Sequence, residues 1–313
     1  MALDRGGSGL ITNLQRDRAT WLGEDFAGHF SLAGTQAKTA LIHDESRWGR
    51  PSGPTPTTHV LKPQGAGFAD QDLNEHVCLA AARNAGLVTA RSEIVTFGDV
   101  RSLSIERYDR RRVGRRRSAR VHQEDACQAL GVHPASKYEN LGGPGVAVIA
   151  RLLRRVMPPR EAERAIWQFA DGLIWNWLIA GTDAHAKNQG LLLSGAQVRF
   201  APLYDITSIL PYLGQRLSDG EVIHERRLKM AMRIGGEYDI WPERNTWVRA
   251  AKDLGLQADA LQERVRALAG SVPSAFGAAA ADPSVQRLRS AVVENLVARV
   301  RERASRCLAA LRP

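Results

Sequence analysis

In the stretch NWLIAGTDAHAKNQGLLL, residues 176–193, an apolar run ends in Gly-Thr-Asp, four polar side chains follow (Asp183, His185, Lys187 and Asn188), and the chain turns apolar again. Asp205 lies seventeen positions beyond Asn188. Three chemistries use such residues. A metal site could draw on Asp183 and His185, but an i,i+2 pair on a loop, unsupported by another histidine cluster, is a thin ligand set. A hydrolase needs an activated Ser or Cys, and the chain contains no Gly-x-Ser-x-Gly elbow and no readable Cys–His motif. Phosphoryl transfer needs one Asp to position a hydroxyl and accept its proton, plus an Asn and a second Asp as hard oxygen ligands for Mg2+. Asp183, Asn188 and Asp205 match that logic, although neither His-Arg-Asp nor Asp-Phe-Gly is present. Taken alone, the stretch reads equally as a helix C-terminus running into a polar loop.

Earlier residues favour phosphoryl transfer. Lys62 closes THVLK, which reads as a strand, and a lysine there could hold nucleotide phosphates. On an edge strand it would be an ordinary residue; buried, it would be costly without a task. Glu75, in the next helix, could pair with Lys62, or face solvent near the helix dipole. SIERYDR, with Glu106 and Tyr108, would be a hinge offering backbone groups to an adenine, or simply a strand entering a basic loop.

The elements that must hold these residues divide by type. Residues 26–42 read as a hairpin, and the proline-bearing segment 43–58 as a loop. DLNEHVCLAAARNAGL reads as a helix stopped by Gly86, and SEIVTFGDVRSLSIERYDR as two strands about Gly98-Asp99. Beyond residue 122, HQEDACQALG, VAVIARLLRRV and EAERAIWQFADGLIWNWLIAG carry helical spacing, the last almost apolar all round near its end. Two strands about Gly195-Ala196 lead to Asp205, and the final hundred residues read as helical, ending in one Arg-rich helix, SVQRLRSAVVENLVARVRERASRCLAALR. The expected class is α+β: a small β-rich lobe (1–110) and a larger all-helical lobe (111–313), the bilobal arrangement of protein kinases.

The chain has 313 residues, enough for a substantial core, and its 44% hydrophobic and 24% charged composition is that of a soluble globular protein. It has no uninterrupted apolar run long enough to span a bilayer, and no basic-then-apolar leader. Three scattered cysteines suggest neither a disulfide framework nor a zinc site, so the cytoplasm is the expected compartment. Net charge is +10, and the densest basic run is RRRVGRRRSAR, Arg110–Arg120. It reads as a solvated loop or as a contact for a phosphate-bearing partner.

Together, FSLAGTQAKTAL, TPTTHVLKP, NEHVCLAAARNAGL, IERYDRR, HQEDACQALG, KYENLGGPG, GTDAHAKN, APLYDI and LKMAMRIGG resemble, in order, the motifs of the HipA family of bacterial toxin Ser/Thr kinases. The resemblance spans residues 30 to about 236. It implies an ATP- and Mg2+-dependent kinase with Asp183 catalytic and Asn188 and Asp205 holding the metal. ATP would be bound by Lys62, Glu106, Tyr108, His185 and, from the loop SLAGTQAK, Gly34 and Lys38. Ser31 would be the autophosphorylated serine that switches the kinase off, though on its own residues it is simply a loop serine. Family targets are aminoacyl-tRNA synthetases, which could be met bound to tRNA, and an antitoxin would carry the DNA contacts. Longer members have an extra N-terminal subdomain before these motifs. Its absence here resembles the short form, HipT, in which a separate small protein supplies that piece; a truncated start is the other reading. His29 stands where short forms often have a second serine, which implies a single-serine switch. A non-catalytic kinase-fold interaction protein and a small-molecule kinase are the alternatives.

Overall fold

The computed structural model describes residues 38–44, 47–65, 67–113, 117–217, 219–241 and 245–311. The expected hairpin at 26–42 therefore lies largely outside the described residues, as do Ser31 and Gly34. The chain forms two compact units, one comprising residues 1–76 and 90–121, the other 77–89 and 122–313.

The first unit is built on a five-stranded antiparallel sheet. Its strands are β1 (Thr39–Asp44), β2 (Arg47–Gly49), β3 (His59–Pro63), β4 (Ser92–Phe97) and β5 (Val100–Glu106), in the order β2-β1-β3-β5-β4. β2 lies inside the proline-bearing segment expected to be a loop. Its Trp48 stacks on His43 of β1, with ring centroids 4.2 Å apart, and this aromatic contact supplies what the local sequence does not advertise. The pairings Leu41–His59, Leu61–Ser104 and Val95–Ser102 assign the two faces. One face buries Leu41, Leu61 and Val100, with Trp48, Val95 and Phe97 packed against them. Lys62 alternates to the opposite face with Leu103.

Helix α1 (Gln71–Asn84) follows β3. Its start is fixed by Arg101 of β5, which donates to both oxygens of buried Asp72 at 2.7 and 2.9 Å and to Asp70 at 2.5 Å. The arginine run expected to be a loop instead forms a hairpin, β6 (Arg110–Val113) and β7 (Arg117–Arg120). Asp109 anchors its base. Its carbonyl accepts from the Val121 N–H, and its carboxylate accepts from Arg107 and Arg110. Burial alone would raise the Asp109 pKa, but the two guanidinium groups outweigh it and hold the carboxyl below its ordinary value.

The second unit is mainly helical and carries two small sheets in addition. β8 (His122–Asp125), β9 (Gly190–Ser194) and β10 (Gln197–Phe200) form a sheet in the order β10-β9-β8. β11 (Lys229–Ile234) and β12 (Glu237–Asp239) form a hairpin within the segment expected to be helical. Its turn residues Gly235 and Gly236 have φ of 60° and 91°, a left-handed pair that ends any helical reading there. Helix α2 (Ala126–Leu130) is closed by a capping box between Asp125 and Gln128 and by left-handed Gly131.

Helix α3 (Val146–Val156) leads to α4 (Pro159–Leu178), the centre of the unit. Trp175 of α4 stacks on Phe276, and Trp177 meets Trp247 edge-on, both α4 indoles being fully buried. These partners lie on α5 (Thr246–Leu254) and α6 (Ala258–Ala280). The expected single terminal helix is two, α7 (Pro283–Gln286) and α8 (Ala291–Ala310). Arg289 turns left-handed at φ 46°, and Ser290 caps the new helix by accepting from the Val293 N–H.

The C-terminus of α4 is buried, so its last carbonyls need partners from elsewhere. Arg303 of α8, itself 1% exposed, donates to the carbonyls of Trp177 and Ile240, and Ser208 Oγ donates to that of Ile179 at 2.6 Å. Replacing Arg303 by Met leaves two buried acceptors without that donor. The expected loss is about 3 kcal/mol of unfolding free energy, read by chemical denaturation.

Candidate active site

α4 ends in a left-handed residue, Ala180 at φ 51°, followed by Gly181. A Cβ on Gly181 would come within 2.3 Å of Asn176 Oδ1, so only glycine leaves the chain this way. The loop that follows is tightly bonded to itself. The His185 N–H donates to the Asp183 carbonyl at 2.8 Å, and Asn188 Nδ2 donates to the same carbonyl at 3.0 Å. Asn188 is 8% exposed; with Nδ2 so engaged, Oδ1 is the amide atom left to ligate a cation.

Asp183 is exposed, and its Oδ1 accepts from the Tyr138 hydroxyl at 2.5 Å. The same oxygen lies 3.9 Å from His185 Nε2. The His185 ring packs edge-on to Tyr138, with centroids 5.1 Å apart. Burial lowers the His185 pKa, and Lys137 adds to this; Asp183 and Asp205, both near enough to act on the ring, pull it back only in part. Burial also raises the Tyr138 pKa, and the Asp183 carboxylate raises it further, so the phenol stays protonated as a donor. Asp205 is exposed and has a left-handed backbone, φ 58°. Asp tolerates that conformation better than most residues, at a cost of about 1 kcal/mol.

Lys187 does not turn toward this group. Its Nζ donates to Asp125 Oδ2 at 2.6 Å, and its carbonyl accepts from the Tyr204 hydroxyl at 2.6 Å. Asp125 therefore caps α2 with one oxygen and holds the loop with the other. The second unit thus brings Asp183, His185, Asn188 and Asp205 into one neighbourhood. Tyr138, part of the KYENLGGPG stretch but given no role by its sequence, joins them from 45 residues upstream of its partner. Glu139 beside it accepts from the Arg233 N–H at 2.6 Å, which ties the KYENLGGPG and LKMAMRIGG stretches together.

In the first unit, Lys62 is 5% exposed and donates to both oxygens of Glu75, 2% exposed, at 2.8 Å each. The pair expected from sequence is therefore present, and buried. Glu106 ends β5, Tyr108 occupies the turn between β5 and β6, and half-buried Lys38 immediately precedes β1. Asn188 and Asp205 offer hard oxygens of the kind that suit Mg2+, and His185 Nδ1 is a buried polar atom with no hydrogen-bond partner among the described residues.

The first unit thus carries a buried lysine–glutamate pair, and the second an Asp-x4-Asn loop with a following Asp. The HipA-like C-terminal domain family matches residues 30–276, and the chain belongs to that family. It is 33% identical over 275 residues to the putative kinase Y4mE of Sinorhizobium fredii, covering 88% of this chain and 62% of that one. It is 27% identical over 275 residues to the serine/threonine-protein kinase toxin HipA of Shewanella oneidensis, covering 83% of this chain and 60% of that one. The chain thus spans about three-fifths of the length of these relatives. The fold matches that of HipA from the Shewanella oneidensis toxin–antitoxin complex with HipB and operator DNA. The TM-score is 0.78 at 24% identity, covering 98% of this chain and 72% of that one.

Because the pair is buried, removing one partner takes a two-pronged ion pair from a charge that water barely reaches. Glu75→Ala should cost about 3–5 kcal/mol, whereas Lys62→Met with Glu75→Leu should recover most of that loss. Denaturation of the two variants checks this, and recovery would mark the pair as kept for something other than stability.

Proposed function

We propose that the protein is an ATP-dependent Ser/Thr protein kinase acting as a toxin. The observation that carries this reading is the buried Lys62–Glu75 pair. A lysine so placed is costly unless its charge is used, and holding nucleotide phosphates is a use that the Asp183–Asn188 loop complements. Lys62 orients the phosphates, with backbone groups near Glu106 and Tyr108 meeting the adenine and Gly34, Lys38 and His185 bordering the nucleotide. Asn188 and Asp205 hold Mg2+, which when bound neutralises charge on the transferred phosphoryl group. Asp183 aligns the target hydroxyl. As that oxygen bonds to the γ-phosphorus and the bridging P–O bond to ADP breaks, the hydroxyl proton passes to the Asp183 carboxylate.

The hydrogen bond from Tyr138 to Asp183 Oδ1 holds the carboxylate in one rotamer and leaves Oδ2 for the substrate hydroxyl. Ser31 is the autophosphorylation site. The substrate is an aminoacyl-tRNA synthetase, met free or tRNA-bound, and the protein works in the cytoplasm. An antitoxin makes the main DNA contacts; the structural relative forms a complex with HipB and operator DNA.

Incubation with γ-labelled ATP and Mg2+ should place label on Ser31 in the wild type and none in Asp183→Ala. No label on any protein, including those of a cell extract, would overturn the kinase reading. Expression should arrest growth, and Asp183→Ala should abolish the arrest; arrest that persists would point to an interaction protein, and none in the wild type to a metabolic kinase. Tyr138→Phe should lower kcat about tenfold or more with little change in the KM for ATP, as expected for a residue that positions the base.

A further inference from the structure

The sheet face opposite Lys62 carries a group of side chains that this mechanism leaves unused. His43 lies on β1, His59 on β3 and Glu93 on β4, and the strand pairings put all three on the face that buries Leu41 and Leu61. One ligating atom from each lies within 4.8 Å of the others. Among the described residues this is the one place where three such donors converge. We propose that His43, His59 and Glu93 form a binding site for a borderline-soft divalent cation of the zinc class, fastening three strands of the first unit.

The donor chemistry is that of a two-histidine, one-carboxylate zinc site with a fourth position open to water. Zinc ligands in a tetrahedral shell lie roughly 3.3 Å apart, so the three donors must close by about 1.5 Å, within reach of a small side-chain rotation. Two of them are already held. The His43 ring stacks on Trp48 at an interplanar angle of 14°, and the His59 ring packs edge-on to both, its centroid 5.3 Å from each. Thr58 Oγ1 lies 2.9 Å from His59 Nδ1 and accepts the His43 N–H at 2.7 Å. With Nδ1–H donating to Thr58, His59 presents the Nε2 lone pair; a hydrogen bond on one nitrogen fixing the other is how metal-binding histidines are usually oriented. Glu93 is exposed, its Oε1 touched only by Ser104 Oγ at 3.4 Å, so its carboxylate can swing to complete the set.

The adjoining apolar face, with Leu41, Trp48, Leu61 and Phe97, lowers the local dielectric and strengthens a charge-bearing bond. Such a site would sit on the strand that carries Lys62, three residues away, and would steady that strand without touching the lysine's face.

The test uses the full chain, dialysed against chelator and titrated with zinc chloride, with cobalt as a spectroscopic stand-in. Expected are one zinc per chain, a rise in thermal midpoint and the visible absorption of four-coordinate cobalt. Glu93→Gln, an exposed conservative change that should leave the fold intact by circular dichroism, should weaken zinc binding at least tenfold. His59→Gln should abolish both the cobalt spectrum and the thermal shift. No zinc binding, or binding of equal strength in wild type and Glu93→Gln, would overturn the proposal. Since none of these readouts is kinase activity, their result stands apart from that of the labelling experiment.

Discussion

The buried C-terminus of α4 is the constraint on which the second unit depends. A helix that ends inside a protein leaves carbonyl groups that water cannot reach, and each must find a donor. Here the donors come from far along the chain: Arg303 for Trp177 and Ser208 for Ile179. Ser208 lies three residues beyond Asp205, and it also accepts the Leu210 N–H at 3.2 Å. One hydroxyl thereby fixes both the exit of the helix that delivers Asp183 and the segment that delivers Asp205. Polar satisfaction of a helix end, rather than any bond between the two carboxylates, is what sets their common neighbourhood.

The first unit solves a different problem, because its Lys62–Glu75 pair is buried. A Lys–Glu pair in low dielectric gains little net stability over two apolar residues of similar size. Its retention argues for a use of the charge, and its geometry suits one. Glu75 engages the ammonium through both oxygens, so the lysine is held at a fixed height above the sheet. The Arg101 fork on Asp70 and Asp72 performs the prior task of fixing the start of the helix that brings Glu75. A sheet–helix pair with two such ion clusters is stiff where a flexible lysine would otherwise wander.

What the sequence disclosed follows from the range of the forces involved. The Lys62–Glu75 pair was legible because a strand and the next helix leave few ways to place the two. The Asp183–Asn188 loop was legible because its bonds are local, the Asn188 amide closing back on the Asp183 carbonyl. Tyr138 was not, since nothing within a few residues of either partner signals a bond across 45 positions. Strand β2 was hidden by the prolines that follow it, and the β11–β12 hairpin by apolar spacing that suits either a helix or a short buried strand. The terminal helix was overextended because the break rests on one left-handed arginine, a conformation that residue type does not advertise. Burial of Arg303 was equally unreadable. An arginine in an Arg-rich helix is ordinarily solvated, and only the unmet carbonyls of another helix recruit it inward.

The electrostatics of the loop carry a consequence for how the two aspartates divide their work. His185 is near both, yet burial keeps its pKa below the ordinary value despite their pull, so it brings no fixed positive charge to neutralise either one. Lys187, the nearest cation in sequence, is committed to Asp125. Asp183 instead receives a neutral donor, the Tyr138 hydroxyl, which orients a carboxylate without cancelling its charge. Asp205 is exposed and held in a left-handed backbone, and its carboxylate is a hard oxygen donor. The two aspartates thus sit in different surroundings, one beside a phenol and the other in a left-handed turn.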